Sequence, residues 1–179
     1  NDNANSWRFN NGVPIENKED ISKNLKARRA VSAPDATAHG IDVSEWQGNI
    51  DWEKVKADGI DFAILRCGFG MDQTNQDDSK FLRNAKECER LGIPYGVYLY
   101  SYATNTSRAA SEADHVLRLL KGRSLSYPVY FDMEDNSTLP YKASFGKIAE
   151  TFCNKISAAG YPVGVYANLN WWNNYLTDP

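Results

Sequence analysis

Gly59, Gly92, Gly122 and Gly160 stand 33, 30 and 38 residues apart. Each follows a stretch with helical patterning, where a left-handed residue just past the last turn stops a helix. Strand-like apolar runs alternate with these stretches: HGIDVSEWQG (39–48), DFAILRCGFG (61–70), PYGVYLYSYA (94–103), YPVYFDMEDN (127–136) and YPVGVYANLN (161–170). Strands alternating with helices imply a parallel sheet, and the repeat length is that of one βα unit in a barrel that spends about 250 residues on eight of them. The expected fold class is therefore α/β, a (β/α) barrel of which about the first five strands are present. In such folds chemistry collects at the C-terminal ends of the strands. Asp42, Asp132 and Glu134 fall there.

The helical stretches support the same scheme. DWEKVKAD puts Trp52 and Val55 on one face. The segment 77–91 offers a stripe of Phe81, Leu82, Ala85, Cys88 and Leu91, and 144–159 one of Phe145, Ile148, Phe152 and Ile156. The segment 106–121, which carries SRAASEADH, is expected to be capped by Thr104, Asn105 or Thr106. Residues 1–38 lack this order. Their apolar side chains (Trp7, Phe9, Val13, Ile15, Ile21, Leu25) follow no sustained period, so the stretch reads as an irregular N-terminal extension and linker with a short helix near 18–29. The catalytic barrel domain is then 39–179.

Composition excludes several function classes. A net charge of −3, with no basic block longer than KARR at 26–29, argues against nucleic acid as the main partner. No run approaches eighteen apolar residues, so no membrane span is expected. Cys67, Cys88 and Cys153 have no zinc-like spacing and an odd count; they read as small buried apolar residues.

Side chains alternate across a strand, so residues i and i+2 share a face. The fourth run presents Tyr130, Asp132 and Glu134 on one side and Val129, Phe131 and Met133 on the other. The apolar set suits packing under helices, which leaves the acids to line the barrel mouth. The same logic turns Asp42, Arg66, the tyrosines Tyr98, Tyr100 and Tyr102, and Tyr166 with Asn168 inward. Two acids two residues apart cannot both ionise cheaply, so one stays protonated near neutrality. A proton donor beside a carboxylate is the equipment of glycoside hydrolysis. Trp46, Trp171, Trp172 and the inward tyrosines are what sugar rings stack against. Arg66 is either a substrate contact or a counter-charge for the acids. A metal-dependent hydrolase using Asp42, Asp132, Glu134 and Asp135 is disfavoured because the two histidines, His39 and His115, lie before the first strand and in mid-helix.

Taken together, GIDVSEWQG, IDWEKVKADGIDFAILRCGFG, GIPYGVYLYSYA with SRAASEADH, and PVYFDMED resemble glycoside hydrolase family 25, the lysozymes that act as N-acetylmuramidases. The resemblance runs from residue 39 to about 175. It implies hydrolysis of the β-1,4 bond from N-acetylmuramic acid to N-acetylglucosamine in bacterial peptidoglycan, without metal or cofactor, by a secreted or wall-associated protein. It maps the family's acid onto Glu134, with Asp132 and Asp42 in the same pocket. Tyr98, Tyr100, Tyr102, Tyr166, Asn168, Trp46 and Arg66 are the expected substrate contacts. A non-catalytic wall-binding module on the same barrel is the alternative. Family members run through eight strands, and the outward face of YPVGVYANL is apolar. The expectation is therefore a longer native polypeptide, or a second copy that covers the open edge.

Overall fold

The computed structural model describes residues 9–10, 13–14 and 38–177. A short antiparallel pair joins Phe9–Asn10 to Val13–Pro14. The helix expected near 18–29 lies outside the described residues. The main sheet has five strands, β1 (Gly40–Val43), β2 (Phe62–Phe69), β3 (Tyr95–Tyr100), β4 (Val129–Asp132) and β5 (Val163–Tyr166), lying side by side in chain order and all parallel. Between and after them come α1 (Trp52–Ala57), α2 (Phe81–Leu91), α3 (Thr106–Leu119), α4 (Phe145–Ala158) and α5 (Leu169–Asn174). No helix among the described residues is long and apolar enough to cross a membrane.

The core lies between the helices and one face of the sheet. Ala63, Leu65, Cys67, Val97, Leu99, Val129 and Phe131 are all buried, on the strand positions that alternate with the acids and tyrosines. Their partners come from helical stripes. In α4, Phe145, Ile148, Phe152 and Ile156 recur at three- and four-residue steps and are all buried, with Phe152 stacked 4.0 Å from Phe131. Each such side chain contributes about 2 kcal/mol of apolar burial. Asn105 starts α3 by accepting the Arg108 N–H at 2.9 Å. The four spacing glycines have φ of 78°, 64°, 76° and 90°, the left-handed values that end each helical stretch.

Several boundaries differ from the sequence reading. Helix α2 starts at Phe81 rather than residue 77, because Asp77 and Asp78 are used in the preceding loop as acceptors. Leu82 is not part of its buried stripe but 56% exposed. At 100° per residue it lies about a quarter of a turn off the line through Phe81, Ala85 and Cys88. Asn84 is buried instead and accepts the Trp52 indole N–H at 3.1 Å. Strands β1, β4 and β5 stop at Val43, Asp132 and Tyr166, earlier than the apolar runs suggest. Ser44 opens a 3-10 turn over Glu45–Gln47, Asn168 opens α5, and a long 3-10 segment (Asn136–Ser144) precedes α4.

A register shift in β2 sets the composition of the mouth. Arg66 pairs with Tyr98, but the next pairs are Gly68 with Leu99 and Phe69 with Tyr100, so the strand carries one extra residue there. Simple alternation would continue the inward set Phe62, Ile64, Arg66 with Gly68. The bulge puts Phe69 there instead. A Cβ on Gly68 would sit 2.7 Å from both the Gln76 carbonyl oxygen and the His115 ring, so only glycine fits at the bulge.

Candidate active site

At the C-terminal end of the sheet, Phe69, Tyr100, Asp132 and Tyr166 are register partners on neighbouring strands and form one row. The row below it is Arg66, Tyr98, Tyr130 and Gly164. Adjacent strands lie about 4.8 Å apart, so side chains in a row are in contact range. Asp132 is 5% exposed. Burial pushes its carboxyl well above the usual carboxylate range, Glu134 and Asp42 push it further, Arg66 opposes them, and Asp135 adds a last increment. Its Oδ1 has no hydrogen-bond partner among the described residues. Burial and its acidic neighbours thus favour the protonated form of Asp132.

Two tyrosines show how close the three acids are. Burial raises the Tyr166 phenol, and Glu134, Asp132 and Asp42 raise it further, in that order. The Tyr98 phenol is raised by burial and then by Asp42, with Arg66 opposing and Asp132 adding. All three acids expected from sequence therefore lie near enough to act on Tyr166, which is 41% exposed, and Asp42 and Asp132 also act on Tyr98.

Glu134 is placed by the loop after β4 and not by strand geometry, since the strand ends two residues earlier. Its Oε2 accepts the Asn168 main-chain N–H at 3.0 Å and the Asn168 side-chain amide at 3.1 Å. The same Asn168 side chain accepts the Trp171 N–H at 3.1 Å through Oδ1, which caps α5. Asn168 therefore touches the site through Glu134 and ties it to the start of a helix. Asp135, weighed from sequence only as a metal ligand, is buried and accepts the Tyr100 hydroxyl at 3.1 Å and the Ser137 N–H at 2.9 Å, along with the Ser137 hydroxyl. Its place in a run of acids (DMED) is the signal that pointed to it.

Arg66 is 2% exposed, and its guanidinium donates to Asp78 (Nε, 2.8 Å) and Glu45 (2.8 Å). The sequence reading offered it as a sugar contact or as a counter-charge for the strand-end acids. It bonds Glu45 and Asp78, the latter also accepting the Glu45 N–H at 2.8 Å, and its charge also acts to hold the Asp132 carboxyl down. These bonds anchor the turn that carries Trp46. Tyr102 stands edge-on to Tyr100 (5.3 Å between ring centroids) and to Phe69 (6.3 Å), extending the aromatic rim. Phe69 was missed in the sequence because the bulge breaks strict alternation. Trp171 is buried and stacks on Phe145 at 5.5 Å, so it is core and not a sugar platform. Trp172 is exposed. Cys67 and Cys88 are buried, Cys153 is half-buried, and all three are free thiols; burial pushes Cys88 up to about 12.

Comparison with known proteins identifies the fold and family. Lysozyme M1 of Streptomyces globisporus is 28% identical over 172 residues, which is 90% of this chain and 57% of that protein. The modular autolysin LytC of Streptococcus pneumoniae superposes with a TM-score of 0.71 at 34% identity, over 79% of this chain and 35% of that one. A family 25 glycosyl hydrolase from Bacillus anthracis shares the fold, with a TM-score of 0.72 at 19% identity over 83% of this chain and 69% of that chain. The chain spans about half the length of relatives such as Lysozyme M1. The family model for glycosyl hydrolases family 25 matches residues 41–179, from the first sheet strand through the Asp132/Glu134 loop and beyond. The chain belongs to glycosyl hydrolase family 25.

Proposed function

We propose that this protein hydrolyses the β-1,4 bond between N-acetylmuramic acid and N-acetylglucosamine in bacterial peptidoglycan, acting at the cell wall. The observation that carries the reading is the crowding of Asp132, Glu134 and Asp42 around one aromatic-rimmed volume, with Asp132 pushed strongly upward. Crowded carboxyl groups hold a proton between them because both cannot ionise cheaply. Glu134, the less buried of the pair, delivers that proton to the leaving glycosidic oxygen. Bond cleavage leaves positive charge on the sugar ring, and the carboxylates that repelled one another now face a cation. Asp132 stabilises that oxocarbenium-like state or steers the substrate's own N-acetyl oxygen toward it. Water then completes the hydrolysis and returns a proton to the pair. The relatives named as lysozymes, and a structure of the LytC autolysin in complex with a synthetic peptidoglycan ligand, support the choice of substrate.

The test is clearing of a cell-wall suspension by the wild type and by Glu134→Gln, which keeps the shape of the side chain and removes its proton. The variant should fold normally and lose at least about a hundredfold in rate, the size of a general-acid contribution. Near-normal clearing by Glu134→Gln would overturn the assignment of the acid. Wall binding without clearing by the wild type would overturn the hydrolase reading.

A further inference from the structure

The SRAASEADH segment is not accounted for by the proposed chemistry, yet it holds two fully buried polar side chains on one face of α3, Glu112 and His115. His115 contacts the Gly70 carbonyl oxygen through Nδ1 at 3.0 Å and Asp77 through Nε2 at 2.8 Å, which braces the loop after β2. Glu112 reaches the other way. Its Oε2 accepts the Ser101 hydroxyl at 2.7 Å and its Oε1 accepts the Tyr102 N–H at 2.9 Å. Ser101 Oγ in turn accepts the Ala103 N–H at 3.1 Å. A ring of bonds thus fixes the turn leaving β3 at the point where Tyr102 stands beside Tyr100 and Phe69.

We propose that Glu112, in its ionised form, is a positioning residue for glycan hydrolysis: it locks the Ser101–Tyr102 turn and so sets the Tyr102 ring on the rim of the carboxylate cleft. The proposal rests on the hydrolase reading for its substrate and on the bonds around Glu112 for its geometry. Both oxygens act as acceptors, and Ser101 already uses its one proton toward Glu112. A proton on Oε1 would displace the Tyr102 N–H, and a proton on Oε2 would make Ser101 Oγ the acceptor and force the Ser101 hydroxyl proton to turn away from Glu112. Neutral Glu112 therefore cannot make the same ring of bonds. Burial pushes the Glu112 carboxyl up to about 7, with the Ser101 and Tyr102 bonds and then Arg108, one turn earlier in α3, pulling it down. Across a cavity of ≈ 230 Å³, the loop after β2 presents Phe69, Gly70, Met71 and Gln76, none of which titrates. The lock therefore opens and closes near neutral pH.

The experiment combines amide exchange at Tyr102 with hydrolysis of soluble glycan fragments, in the full chain from pH 5 to 9. In the wild type, Tyr102 exchange, corrected for its intrinsic rate, should become faster as pH falls through about 7, and KM should rise over the same range with kcat less affected. Glu112→Gln should remove that step from both measurements and raise KM about tenfold at pH 8, as expected for loss of a bond to a charged acceptor. Ser101→Ala, which keeps the acid and removes one bond, should give a smaller rise in KM and retain the pH step; it serves if Glu112→Gln fails to fold. A wild-type exchange profile without the step, or a folded Glu112→Gln with unchanged KM and pH profile, overturns the proposal. Exchange requires no catalysis, so an inactive wild type whose Tyr102 amide still shows the step would count against the hydrolase reading and not against the lock.

Discussion

Asn168 performs two tasks that substitution can separate. Its side-chain amide donates to Glu134 at 3.1 Å, and its side-chain oxygen accepts the Trp171 N–H in the first turn of α5 at 3.1 Å. Asn168→Ala removes both interactions and leaves the main-chain N–H on Glu134. Loss of the cap should cost about 1 kcal/mol of stability. Loss of the side-chain bond to a charged acceptor is worth about 1.5 kcal/mol, or roughly tenfold in rate if that bond holds Glu134 in its working position. Asn168→Asp keeps an acceptor for Trp171 and suits the positive end of a helix, so stability should stay within about 0.5 kcal/mol of wild type. It also replaces a donor with a carboxylate facing Glu134, and wall clearing should fall further than in the alanine variant. The assay is a urea melt paired with clearing rates measured at equal folded concentration. If Asn168→Asp is as active as wild type, Glu134 is not held by this contact and the reasoning fails.

Arg66→Met leaves Asp78 buried without its counter-charge and should destabilise the fold by about 3 kcal/mol in a urea melt, even though methionine fits the volume. A loss below about 1 kcal/mol would mean that water relieves Asp78. Because Glu112 is raised above the ordinary glutamate value to about 7, the folded chain keeps a proton that the unfolded chain has released between pH ~4.5 and ~7. Stability from this group is therefore present at low pH and lost as pH rises through 7, by about 3 kcal/mol; the wild type should lose that much more than Glu112→Gln between pH 5 and pH 8 in matched melts. Thiol titration of the native protein should find few or none of the three cysteines reactive, and all three after denaturation.

The order of elements and the parallel sheet were legible because each helical stretch ends in a glycine and each strand run is apolar on alternate residues. The carboxylate triplet was legible for the same reason, since Asp42 and Asp132 obey simple alternation. What escaped was set by tertiary bonds. The extra residue in β2 exchanges Gly68 for Phe69 in the top row, and nothing in the local pattern of ILRCGFG marks that shift. Trp171 and Trp172 look equivalent in sequence, but the short helix capped by Asn168 turns the first onto Phe145 and the second to solvent. Arg66 could be assigned to its partners only once the loops after β1 and β2 were brought together.

The joints between neighbouring loops share one chemistry. Asp78 and Glu45 link the loops after β1 and β2, Asp77 meets His115, Glu112 meets the turn after β3, Asp135 takes the Tyr100 hydroxyl, and Glu134 meets Asn168. Every one of these joints has a carboxylate as acceptor, whereas the strand face packed under the helices is lined by apolar side chains such as Val97, Leu99, Val129 and Phe131. The two sides of the molecule therefore respond to different insults. Acid strong enough to neutralise carboxylates removes the charge from these acceptors while the Phe131–Phe152 layer beneath keeps its packing. Urea, which solvates apolar and peptide groups alike, weakens that packing. Acidification should accordingly silence the protein while most of its helix and sheet content is still intact, and neutralisation should restore it without a refolding step.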